Sequence, residues 1–165
     1  MSETAVAVPV VEAEPSFGEY VAAVASGMPP HVTLLYPFVP APELDAGLEE
    51  RAALVIAQAS PFDVVFASTG RFEETLYLAP HPARRFVELT EALLGAFPNC
   101  VPYRGAYDAV VPHLTVAQGD RGVLDRLEPE ISSRLPLRAC VEAAVLFEQD
   151  QRGRWHERRR LPLGC

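Results

Sequence analysis

The sequence predicts an α+β fold made of two related lobes, and three observations carry that prediction. Short β-rich strings alternate with stretches that repeat apolar residues at helical spacing. Sixteen prolines among 165 residues favour many short, sharply ended elements over a long helical bundle. A pentad, Pro30-His31-Val32-Thr33-Leu34, recurs half a chain later as Pro112-His113-Leu114-Thr115-Val116. The length fits a single domain over residues 1–165, with one copy of the pentad in each lobe.

The elements follow in order. Valine-rich Thr4–Val11 reads as a first strand. Pro15–Ala25 places Phe17, Tyr20, Val21 and Val24 at helical spacing, with Pro15 suited to a first turn. His31–Tyr36 is β-rich and stopped by Pro37. Pro42–Ser60 carries early acids and then Leu48, Leu54 and Val55, and reads as a helix. Phe62–Ala67 and Thr75–Ala79 read as a hairpin. Pro82–Phe97 is a helix with Phe86, Leu89, Leu93 and Leu94 along one stripe, ended by Pro98. Asn99–Val110 reads as a loop and Val111–Ala117 as a strand. Asp120 is placed to cap a helix running to about Arg134. Leu137–Glu148 is strand-like, and Arg154–Leu161 is a last strand after the Gly153 turn.

Composition narrows the chemistry. All 14 basic residues are arginine, against 22 acids, for a net charge of −8. A Walker-type phosphate loop and a Schiff-base enzyme both need the lysine this chain lacks. A basic nucleic-acid coat does not fit the charge, although a local arginine patch does. Cys100, Cys140 and Cys165 are odd in number and far apart, which predicts free thiols and a cytoplasmic setting rather than a disulfide framework or zinc knuckle. The acidic N-terminus has no basic n-region, and no apolar run reaches the roughly 18 residues a membrane span needs. No cofactor, membrane association or stable protein partner is predicted.

The pentads carry the chemistry. Side chains alternate between the faces of a strand, so His and Thr of His-x-Thr share one face while the apolar residues between and after them share the other. A core strand has little reason to gather imidazole and hydroxyl on one face, twice. Two imidazoles across a cleft suit acid–base work near neutral pH, and hydroxyls donate hydrogen bonds to phosphate oxygens. Together they match in-line attack on a phosphodiester. Two histidines fall short of the three protein ligands zinc usually takes, so no metal is expected. His31, Thr33, His113 and Thr115 are the candidate catalytic residues.

These motifs, their spacing and the strings PPHVTLLYPF and VVPHLTVA resemble the two-histidine (2H) phosphoesterase superfamily, in its bacterial 2′-5′ RNA ligase-like branch. The resemblance covers about Thr4 to Leu163. It implies a bilobal fold in which two pseudo-symmetric antiparallel sheets line a central groove, with helices outside. It also implies hydrolysis of cyclic phosphodiesters, typically 2′,3′-cyclic ends of nucleotides or RNA, or reversible 2′-5′ ligation. The family's catalytic residues fall on the same four positions. His113 is assigned as the base and His31 as the acid; reversing the reaction exchanges them. Members differ widely in substrate, so the substrate itself is not implied.

Phe38, Tyr77, Arg104 and Tyr107 are candidate substrate contacts. Phe38 follows the first motif and offers a ring to a base. Arg104 and Tyr107 lie in the loop before the second. Tyr77 has parity opposite to Leu76 and Leu78, which turns it towards the groove. Tyr36, of opposite parity to His31, is expected in the core. The run Arg152 to Arg160 reads as a charged edge strand in preference to an RNA-binding patch. Glu73 and Glu74 read as solvated. Two other readings accompany the enzyme: an RNA- or nucleotide-binding module without turnover, and a related enzyme acting on a non-RNA phosphoester.

Overall fold

Local signals set the element boundaries. The Asp45 carboxylate accepts the Leu48 amide, and the Asp120 carboxylate accepts the Val123 amide, so each aspartate caps a helix. In the computed structural model, which describes residues 2–105 and 110–164, twelve main elements follow. They are β1 (Thr4–Pro9), α1 (Glu14–Val24), β2 (His31–Leu35), α2 (Ala46–Ala57), β3 (Phe62–Phe72), β4 (Thr75–His81), α3 (Arg84–Ala96), β5 (Leu114–Gln118), α4 (Arg121–Ser132), β6 (Leu137–Val141), β7 (Ala143–Gln149) and β8 (Trp155–Pro162).

The strands form two antiparallel four-stranded sheets, ordered β2-β1-β7-β8 and β5-β4-β3-β6. The orders superpose: β5 takes the place of β2, β4 of β1, β3 of β7 and β6 of β8. Each sheet thus carries its pentad strand on an edge, and β2 and β5 lie beside each other without sharing a ladder. The helices cross between the halves. α1 follows β1 yet packs on β5, and α3 follows β4 yet packs on β2.

Alternation builds the core. Val6, Val8, Val32 and Leu34 from the first sheet and Phe66, Leu76, Leu78, Leu114 and Val116 from the second join one apolar cluster with residues from all four helices. A smaller cluster of Ala7, Met28, Val145 and Phe147 covers the other face of the first sheet, beside Trp155. Phe66 is fully buried at the centre of β3. Phe66→Ala is expected to cost about 3–5 kcal/mol of stability, measured as a drop in the urea midpoint at unchanged slope.

Several expectations need correction. The segment Leu137–Glu148 is two strands, not one: β6 pairs with β3 and β7 with β1, so the chain changes sheets at Glu142. The strand expected at Val111–Ala117 starts at Leu114, because Pro112 has no amide to give to a ladder. The helix expected at Pro42–Ser60 starts at its Asp45 cap, after a separate 3-10 turn at Ala41–Glu43. The strand expected to end at Ala67 runs on to Phe72, past an irregularity between Phe66 and Ser68.

A bulge corrects Tyr36. Val6 pairs with Leu35 and Ala7 with Thr33, so Leu34 is the extra residue. The Leu34 carbonyl, left out of that register, accepts the buried Thr90 hydroxyl of α3 at 2.7 Å. Leu34 and Leu35 both enter the core, and parity reverses beyond them. Tyr36 therefore leaves the core. Its hydroxyl bonds the Glu3 carboxylate, and its ring meets Trp155 edge-to-face at 6.0 Å.

The arginine run reaches onto outer edge strand β8. Within it Arg158 pairs with Glu49 and Glu148, and Arg159 with Glu50, so these two are matched by acids of α2 and β7, while Arg152 and Arg154 precede the strand. No helix among the described residues is long and apolar enough to cross a membrane.

Candidate active site

The two pentads fold alike. Pro30, Val32 and Leu34 are buried while His31 and Thr33 are half-exposed; Pro112, Leu114 and Val116 are buried while His113 and Thr115 are half-exposed. Each histidine is held by the carbonyl two residues earlier: His31 Nδ1 lies 2.8 Å from Pro29 O, and His113 Nδ1 lies 2.6 Å from Val111 O. A carbonyl only accepts, so Nδ1 carries the hydrogen in both rings. That leaves each Nε2 as the nitrogen free to take or give a proton.

One cavity of about 510 Å³ gathers His31, Thr33, His113 and Thr115. Its walls are unlike. The end of α1 supplies Val21, Val24 and Ala25, with Val111 adding apolar surface. The turn between β3 and β4 supplies Phe72, Glu73 and Glu74. No arginine lines the cavity among the described residues. A bound anion therefore meets imidazole and hydroxyl groups in place of guanidinium.

Burial lowers the pKa of both histidines below the ordinary imidazole value. The carbonyl contact on Nδ1 opposes this in each, and the charge of His113 lowers His31 further. Both rings are therefore neutral in the free protein at neutral pH. A folded pKa below the unfolded one means that the unfolded chain binds more protons. The resulting penalty is absent above about pH 6.5 and grows as pH falls through the folded values. The melting temperature is expected to fall between pH 7.5 and 5.5 more steeply than in a His31→Gln/His113→Gln double variant. Equal slopes in the two proteins would contradict the burial argument.

The remaining expected contacts divide. Tyr77 stands opposite Thr115 with its ring 5.4 Å from that of His113, but it does not itself line the cavity. Phe38, expected as a substrate contact, is corrected: it is 4% exposed and packs edge-to-face on Phe97 at 4.7 Å, within the core. Arg104 is exposed outside the cavity lining, pairing with Glu3 at 2.8 Å and lying 5.9 Å from the centre of the Tyr36 ring. Its neighbour Tyr103 reaches the cavity, where a 2.6 Å bond from its amide to Tyr36 O fixes the turn. Tyr107 lies outside the described residues. Of the other histidines, His156 pairs with Asp150 at 2.7 Å beside the last turn, and His81 is exposed.

Sequence reasoning missed Phe72 and set aside Glu73 and Glu74. The available signal was the hairpin itself. A tight Glu73-Glu74 turn makes Phe72 face Thr75, so both line the cavity, while Tyr77 two residues on stacks on Phe72. Glu73 takes up the turn with a φ of 40°.

No curated protein matches the chain. Among solved structures the fold recurs in LigT of E. coli. Its complex with 3′-AMP superposes with a TM-score of 0.65 at 17% identity over 98% of both chains. Its apo form gives 0.66 at 16% identity over 99% of this chain and 98% of that one. TT0787 of Thermus thermophilus gives 0.66 at 18% identity over 97% of both chains. Those likenesses concern the fold. The 2′-5′ RNA ligase superfamily model, by contrast, matches residues 4–153 and so takes in both pentads. The chain belongs to the 2′-5′ RNA ligase superfamily.

Proposed function

We propose that the protein is a metal-independent phosphodiesterase that opens cyclic phosphodiesters, such as the 2′,3′-cyclic ends of nucleotides or RNA. The observation that carries this reading is the duplicated pentad, with both imidazoles tied at Nδ1 and both Nε2 atoms left for one cavity. His113 Nε2 takes a proton from water as the water oxygen forms its bond to phosphorus. The bond from phosphorus to one ribose oxygen breaks, and protonated His31 gives that oxygen its proton. Thr33 and Thr115 hold the nonbridging oxygens through their hydroxyls. Both rings start neutral, so the anion arrives with one proton taken up from solution, which its charge favours at the histidine pair. With the 5′-hydroxyl of a second ribose attacking in place of water, the same opening breaks the bond to the 3′-oxygen and forms a 2′-5′ linkage, and the reverse course re-forms the cyclic phosphate.

Two features favour a small substrate. The cavity is framed by Glu73 and Glu74 and not by arginine, so a long polyanion meets repulsion at its mouth. The LigT complexes with 3′-AMP, NADP+ and ATP accord with a nucleotide ligand. Free thiols at Cys100 and Cys140 accord with a cytoplasmic setting. Arg158 and Arg159 of β8 are ion-paired, which weakens the case for an arginine-based binding module without turnover.

The test is a substrate panel in EDTA: 2′,3′-cyclic mononucleotides, cyclic-ended oligonucleotides, and linear and non-nucleotide phosphodiesters. Expected is EDTA-resistant opening of the cyclic mononucleotides, faster than that of the oligonucleotides. Salt-sensitive RNA binding with no turnover on any member would overturn the proposal.

A further inference from the structure

The lobes place different residues at matching positions beside the two histidines. On β4, Tyr77 stands opposite Thr115 of β5 and Gly70 of β3. The matching residue on β1 is Ala7, opposite Thr33 of β2 and Val145 of β7. One lobe thus has a ring and a glycine where the other has a methyl group and a valine. The Tyr77 ring fills the room Gly70 leaves: a Cβ added there would lie 2.4 Å from Tyr77 Cζ.

The rings form a unit. Phe72 stacks on Tyr77 at 4.5 Å with planes 23° apart. His113 meets both edge-to-face, at 5.0 Å and 80° from Phe72 and at 5.4 Å and 63° from Tyr77. Its Nδ1 is already tied to Val111 O, so the imidazole is fixed by a hydrogen bond and by two rings. Among the described residues, the ring contacts to the histidine pair all fall on His113.

We propose that Phe72 and Tyr77 are positioning residues for His113 alone, an aromatic clamp that makes the two motif histidines inequivalent. The inference rests on the groove being the phosphodiesterase site. His113 then keeps one orientation from the free protein through proton transfer, as in-line displacement requires. His31 relies on its Pro29 contact and on the substrate. The sequence symmetry of the pentads is broken one strand away from them.

The test compares Phe72→Leu and Tyr77→Leu with Tyr77→Phe, which keeps the ring. Imidazole titration by NMR, in the ligand-free protein, reads the clamp directly. In both leucine variants water reaches the ring, so the His113 pKa rises towards its ordinary value while that of His31 does not rise, because the His113 charge can only lower it. In hydrolysis of a 2′,3′-cyclic nucleotide, each leucine variant is expected to lose about tenfold or more in kcat with little change in KM. Tyr77→Phe recovers most of that loss. The inference is overturned if both histidine pKa values rise or neither moves, or if the loss falls in KM alone. Should Tyr77→Leu fail to fold, Phe72→Leu carries the test from its half-exposed strand end. If the wild-type protein opens no phosphodiester, the proposed function falls, and the NMR arm still decides the clamp.

Discussion

His31→Ala and His113→Ala are each expected to lower kcat on a 2′,3′-cyclic nucleotide by about three orders of magnitude, within the range lost when a positioned acid or base is removed. The size follows from the division of labour. Each ring moves one proton in the displacement, and the cavity offers no other imidazole among its described lining residues. The double variant should be little worse than either single one, because the two residues act in one step. Steady-state rates beside a circular dichroism spectrum decide the matter. A folded single variant with wild-type turnover would end the two-histidine mechanism.

Thr33→Val and Thr115→Val test the phosphate-holding half of the site. Valine keeps the branched shape and the strand preference, so mainly the hydroxyl is lost. Removing one donor from a developing charge typically costs about a hundredfold or more in kcat. Each valine variant is expected near that figure, and each Thr→Ser variant, which restores the hydroxyl, should recover most of it. If valine leaves kcat unchanged and raises only KM, the hydroxyls bind substrate without stabilising the transition state.

The site was legible because its signal is short-range. Alternation over five residues is enough to place His and Thr on one face, and the same buried and half-exposed pattern recurs in both pentads. Every longer inference depended on pairing that sequence alone does not record. Tyr36 was misplaced because the extra residue at Leu34 reversed the parity it was read by. Phe38 sits only five residues beyond Thr33, yet it has passed the bulge and Pro37 and turned into the core against Phe97. Leu137–Glu148 looked like one imperfect strand because the change of sheet at Glu142 costs a single residue. Phe72 was hidden by the register irregularity before Ser68, after which β3 resumes and ends with Phe72 at the cavity. The two-lobe plan was legible in the repeat, but the crossing of α1 and α3 was not, since nothing local tells a helix which sheet it will cover.

That crossing bears on how the protein meets its substrate. β2 and β5 share no ladder, so backbone pairing does not set the width of the groove between them. Each wall is braced from the far side: α1 leaves the first sheet to lie on β5, and α3 leaves the second to lie on β2 and bonds it through Thr90. Among the described residues, the two halves laced in this way support each other's walls. Opening the cleft would drag each helix off the wall it supports, which means parting the shared core. If the groove is the phosphodiesterase site proposed above, the spacing its two motif strands offer a substrate is held by the shared core rather than by a ladder between them.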